Sequence, residues 1–286
     1  MREVIVRPAG EQDLPVIAAV MLANDRHYEW GGGNAAYVRH LMNHGSVLVA
    51  EMGAGVAGFG ATQPVGAGPD VISMLCDLFV DPAAHGRGCG RALLSRLWAG
   101  SPRRMTFSSL HAHAIPLYTS FGLDAWWPLL ELHGDQRRLG ASADLTAEPA
   151  DAAEVSRTEL AWSGRDRSAD HAAWAERPGG QGVVIRRDGE LLGAGTVITR
   201  GPERGIEHLV VTPAANDSDA AAVVLHVLAS LDGPADEMAH VSLPGPHPAV
   251  RPLLAAGWAF DDFDLFMATD PSFLDPRRAV VSPSQA

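Results

Sequence analysis

Val80-Asp-Pro-Ala-Ala-His-Gly-Arg-Gly-Cys-Gly-Arg-Ala-Leu-Leu94 is the stretch on which the reading of this 286-residue chain turns. An apolar run, Val71 to Val80, leads into it and predicts a strand. Asp81-Pro82 ends that strand, because proline fixes φ and has no N–H for the ladder. Glycines then alternate at Gly86, Gly88 and Gly90, and Leu93, Leu94, Leu97 and Trp98 follow with helical spacing. Strand, glycine turn and helix together make an anion cradle. Glycine lets backbone approach a ligand closely, and the first N–H groups of a helix have no partner inside it. The helix dipole adds partial positive charge there, and Arg87 and Arg91 add full charges. Taken alone, the stretch also fits a tight strand-to-helix turn with no ligand.

Two nucleotide-binding patterns are excluded. Leu93 stands where GxGxxG needs its third glycine, and a Walker loop needs a lysine, of which the chain has none. The net charge of −12 argues against nucleic acid or an anionic membrane as main partner, since both are bound through clustered basic residues. A polyanionic ligand therefore needs a local positive site. Cys76 and Cys89 make no disulfide framework, so a cytoplasmic location is expected. Arg2, Glu3 and Arg7 interrupt any apolar opening segment, and Ala220–Leu231 is too short to span a bilayer.

The glycine stretch resembles the pyrophosphate loop of the GNAT acetyltransferase superfamily, Gln/Arg-x-x-Gly-x-Gly/Ala, preceded by Val-x-Pro. Here it reads His85-Gly86-Arg87-Gly88-Cys89-Gly90 after Val80-Asp81-Pro82, with His85 in place of Gln or Arg. Ala114-Ile-Pro-Leu117-Tyr118-Thr-Ser-Phe121-Gly122-Leu123 resembles the family's A-x-x-L-Y-x-x-x-G-F. His111 stands where many members have asparagine. The pattern of elements is also similar to the family's: strand Val4–Pro8, helices Gln12–Met21 and Asn34–Met42, and hairpin Val47–Glu51/Val56–Thr62. The strand before the loop, the helix after it, strand Met105–Leu110, helix Ala114–Phe121 and strand Leu123–His133 complete it.

The remainder of the chain repeats the first half. Val211-Thr-Pro-Ala-Ala-Asn216-Asp-Ser-Asp219-Ala-Ala-Ala-Val-Val-Leu225 lies in register with Val80–Leu94, and Gly182–Ile198 with the first hairpin. In that register Tyr118 faces Leu253. Asp217, Ser218 and Asp219 replace Gly86, Arg87 and Gly88, and carboxylates there repel a pyrophosphate. The expected organisation is α/β with a mixed sheet in each of two tandem GNAT-like domains. A catalytic domain spans 1–135, a linker 136–150, a degenerate GNAT-like domain 151–270, and a flexible tail 271–286.

The resemblance implies transfer of an acetyl group from acetyl-CoA, as co-substrate, to a primary amine of a small molecule, with no metal. Tyr118 would protonate the departing thiolate; its alternative is packing between helix and sheet. Asp77 would receive the amine proton, or is simply a strand carboxylate with a neighbouring partner. Leu78, Phe79, Val80, His85, Gly86, Arg87, Gly88, Cys89, Gly90, Arg91 and His111 would hold the cofactor, Cys89 by packing. His27, Tyr28 and Trp30 are candidates for the acceptor side, and Trp162–Arg167 is the first guess for a second-half contribution. His85, His111 and His113 lack a recurring zinc spacing and read as loop histidines. A longer acyl or aminoacyl donor, and an acyl-CoA sensor without catalysis, are the alternatives. A homodimer is left open.

Overall fold

The computed structural model describes residues 3–26, 33–53, 55–66, 68–201, 204–231, 233 and 237–283. The first half runs β1 (Val4–Pro8), α1 (Leu14–Leu22), α2 (Gly33–His44), β2 (Ser46–Met52), β3 (Gly55–Val65) and β4 (Ile72–Val80). It continues with α3 (Cys89–Leu97), β5 (Arg104–Ser108), α4 (Ala114–Thr119) and β6 (Asp124–Gly134). The second half follows the same order: β7 (Leu145–Ala150), α5 (Ala152–Ser163), α6 (Ser168–Glu176), β8 (Gly180–Arg187), β9 (Glu190–Ile198) and β10 (Gly205–Val211). Then come α7 (Asp217–Ala229), β11 (Ala239–Pro244), α8 (Val250–Ala255), β12 (Ala259–Ala268) and a short β13 (Ala279–Val280).

Local chemistry sets the boundaries. Asp13 accepts from the Gly10 N–H and from the Arg7 guanidinium, which closes a 3-10 turn over Glu11–Asp13 that runs directly into α1 at Leu14. The β8–β9 turn places Asp188 at φ 50° and Gly189 at φ 83°, a left-handed pair that matches the twist of a hairpin. α7 is capped by the Asn216 side chain, which accepts from the Asp219 N–H at 3.0 Å.

One sheet runs through both halves, in the order β1-β2-β3-β4-β5-β12-β6-β11-β10-β9-β8-β7. The last strands are exchanged. β12, from the second half, pairs with β5 of the first, and β6 pairs with β11 of the second. β6 and β12 also pair with each other, and Trp127 stacks on Phe266 across that seam at 4.4 Å. Consecutive domains of 1–135 and 151–270 are therefore corrected to two interlocked halves, each lacking a strand without the other.

The expected linker is corrected too. Residues 145–150 form β7, an edge strand that buries Leu145, and Pro149 is tolerated there because an edge carries unpaired backbone. So is the expected flexible tail. Phe273, Leu274 and Ala279–Val281 are buried, and β13 pairs with β10. No helix among the described residues is long and apolar enough to cross a membrane.

Candidate active site

The site begins where two parallel strands part. β4 and β5 pair only at Ser73–Leu75 with Arg104–Thr106, and the Thr106 hydroxyl donates to the Leu75 carbonyl at 3.0 Å. The register against β3 then skips Cys76, a bulge that bends β4 away. At the far end the Asp81 N–H donates to the Ala57 carbonyl. That bond makes Val80 and Gly58 a non-hydrogen-bonded pair, so the backbone groups of Val80, and by alternation those of Leu78, face away from β3 into the gap. The Asn24 amide and the His85 ring meet the Val80 carbonyl there, at 3.2 and 2.9 Å. The N–H groups of Leu78 and Val80 lie along the same open edge.

The glycine loop crosses the end of this gap. The Asp81 carboxylate accepts from the Ala83 N–H and closes a tight turn at Pro82–Ala84. Gly86 and Gly88 then take φ of 72° and 90°, a conformation that L side chains rarely adopt, and a Cβ at either would meet nothing within 4 Å. Gly88 precedes α3 with no side-chain cap, so the first N–H groups of the helix point at open space flanked by the exposed Arg87 and Arg91. Cys89 is buried and its thiol pKa is raised by burial, as a packing residue requires. These features fit an anion of pyrophosphate type.

A cavity of about 790 Å³ joins the gap, the loop and α4. Leu78, Phe79, Val80, His85, Gly86, Gly88, Cys89, Gly90, Arg91 and His111 line it, together with Asp77 and Tyr118. Arg87, in the same loop, does not. Tyr118 is buried against Trp98, ring edge to face, 6.3 Å between centroids. Burial first, then the charges of Asp77 and Asp264, raise its hydroxyl pKa well above the ordinary value. Asp77 is buried and accepts from the Tyr37 hydroxyl at 2.8 Å; its partner is a tyrosine on α2. His85, His111 and His113 form a row, with ring centroids 5.7 and 5.4 Å apart.

The structure also brings residues to the cavity that the sequence did not single out: Asn24, Arg26, Glu131, Asp264 and Pro283. Asp264 and Pro283 come from the second half. Trp162–Arg167 does not line the cavity. Arg167 is instead buried, 3.1 Å from Asp170 and 3.5 Å from Glu159. Asp170 also accepts from His40 and Gln63 of the first half, which ties the halves together. His27, Tyr28 and Trp30 lie outside the described residues. Ligand atoms of Glu159, His171 and His208 converge within 4.8 Å, but this buried trio is already hydrogen-bonded within itself, with Arg167 alongside. It reads as a charge-compensated core.

The corresponding place in the second half is filled. β10 and β11 part after Ile206, as β4 and β5 do after Leu75. β13 enters that gap, pairing with Leu209 and Val210, and the Val211 N–H donates to the Arg278 carbonyl at 2.8 Å. At the loop position Asp217 binds Arg277 and Arg278, which pull its pKa down to about 2. Asp219 pairs with Arg187 at 2.6 Å.

The family model for the acetyltransferase (GNAT) domain matches residues 43–122. No curated protein matches the chain. Among solved structures, a candidate acetyltransferase from Pyrococcus horikoshii aligns with a TM-score of 0.72 at 14% identity, over 100% of this chain and 97% of that one. A tandem GNAT protein from the clavulanic acid biosynthesis pathway aligns at 0.60 and 17% identity, over 94% and 99%. A GCN5-related N-acetyltransferase from Sphaerobacter thermophilus aligns at 0.57 and 12%, over 99% and 98%. Residues 43–122 therefore match the GNAT acetyltransferase domain, and the chain has the fold of tandem GNAT proteins along its length.

Proposed function

We propose, from the premise of a GNAT acetyltransferase domain within a tandem fold, that the first half transfers an acetyl group from acetyl-CoA to a primary amine of a small molecule. The parting of β4 and β5 beside the glycine loop carries this reading. It presents the Leu78 and Val80 N–H groups along one edge, where they can bind the pantetheine arm and polarise the acetyl carbonyl. The N–H groups of the loop and α3, with Arg91 and Arg87, hold the pyrophosphate. The amine attacks the acetyl carbonyl directly, and Tyr118 gives its proton to the departing thiolate. Its raised pKa keeps that proton on the hydroxyl at neutral pH. Asp77 receives the amine proton in this reading, and its hydrogen bond from the Tyr37 hydroxyl supports that role.

The second half binds no acetyl-CoA in this reading. β13 occupies its gap, Asp217 and Asp219 occupy its loop, and Leu253 stands where Tyr118 would be. The second half instead contributes to the cavity of the first through Asp264 and Pro283.

Thiol release from acetyl-CoA, measured across a panel of primary amines, tests the reading. Amine-dependent release supports it. Tight acetyl-CoA binding with no release from any amine would make the protein a sensor, and release only with longer acyl thioesters would change the donor.

A further inference from the structure

One wall of the cavity holds a carboxylate from each half. Glu131 stands on β6 opposite Asp262 of β12, and Asp264 lies two residues further along β12, so Glu131 and Asp264 are diagonal neighbours across the central seam. Both line the cavity. Neither makes a hydrogen bond or ion pair with any described residue. The charge of Arg26 reaches both, but around Glu131 it is outnumbered by Asp264, Asp262 and Asp261. Glu131 is exposed at the cavity mouth, yet enclosure and its acidic neighbours raise its pKa; enclosure and Asp262 do the same to Asp264. Crowded carboxylates without partners repel one another, and a cation from solution relieves that repulsion.

A second observation points to a ligand in the same chamber. Tyr118 is more than nine-tenths buried, lines the cavity and has no hydroxyl partner among the described residues. Asp77 and Asp264 both act on its hydroxyl through charge. An amine reacting beside Tyr118 therefore lies in the field of a carboxylate that the second half supplies.

We infer that the acceptor is a diamine or polyamine, whose second ammonium is held by Glu131 and Asp264 while its first amine is acetylated. The inference rests on the acetyl-transfer reading above. It also gives the second half a share in choosing the acceptor, because Asp264 reaches the cavity only through the exchanged strand β12.

The test compares butane-1,4-diamine with butylamine, by thiol release from acetyl-CoA and by calorimetric binding to the CoA-loaded protein. The wild-type kcat/KM for the diamine should exceed that for the monoamine by about 10-fold or more, the value of a charged hydrogen bond. That ratio should fall about 10-fold in Asp264→Asn and in Glu131→Gln, mainly through KM. Both substitutions keep size and remove only charge, and an unchanged unfolding transition checks the fold. Equal use of the two amines, or an unchanged ratio in both variants, overturns the inference and leaves acetyl transfer standing. Diamine binding that weakens in the variants, with no thiol release from any amine, supports the ammonium site and overturns acetyl transfer instead. Absence of both binding and release overturns the inference.

Discussion

Tyr118 illustrates how burial prepares a side chain for one task. The edge of Trp98, the neighbouring apolar residues and the charges of Asp77 and Asp264 all disfavour its ionised form, so the hydroxyl carries its proton throughout the neutral range. If that proton goes to the thiolate, Tyr118→Phe should lower kcat by about 10²- to 10⁴-fold with acetyl-CoA affinity little changed. Single-turnover kinetics alongside calorimetry would check both halves of that statement, and an unchanged rate would assign the proton to water. Tyr118 and the loop glycines were legible in the sequence because their signals are local: a turn chemistry and a short helical spacing. Glu131 and Asp264 were not. Each sits in a strand with no motif, and their meeting depends on a pairing between residues more than a hundred positions apart.

Among the elements, β13 shows what periodicity cannot reveal. Two residues carry no period, and the prolines and serines around Val280 and Val281 read as a loose tail. Burial in the gap beside β10 turns those valines into core. β7 was hidden differently, since a polar edge strand with a proline looks like a connector. The tail also shapes the surroundings of His247, in the turn after β11. This ring is buried, its Nδ1 accepts from the Ala249 N–H at 3.1 Å, and its pKa is pushed down to about 3 by burial and by Arg278 and Arg277. A histidine whose folded pKa is lowered gives its full stabilisation above its unfolded value, about 6.5, and loses it as pH falls toward the folded value. Burial lowers the pKa of His208 in the same direction. Stability to urea should therefore fall as pH drops from 7 to 5, with His247 adding about 1.4 kcal/mol per pH unit below its unfolded pKa. His247→Gln should flatten that slope by about one proton. A slope identical to wild type would remove His247 from the account.

At the scale of the whole molecule, the exchanged strands decide what can fold alone. The internal repeat was readable because each half follows one pattern of elements. The exchange was not, since β6 and β12 have equivalent places in that pattern and either could close either half. A fragment of residues 1–135 keeps β6 but loses β11 and β12, the two strands that flank it, and leaves β5 with an open edge. It is expected to aggregate or self-associate, and light scattering with circular dichroism would show it. A monomeric fragment with a cooperative unfolding transition would contradict the interlocking.

The same asymmetry makes the central claim measurable. The first half has an open gap with a glycine loop; the second has its gap filled by β13 and its loop occupied by Asp217 and Asp219. Calorimetric titration of the full chain with acetyl-CoA is predicted to give one equivalent per chain. That binding should be lost in Gly90→Asp, which places a carboxylate at the first turn of α3 while its Cβ makes only ordinary contact with Leu117. Two equivalents per chain, or wild-type affinity in a folded Gly90→Asp protein, would contradict it.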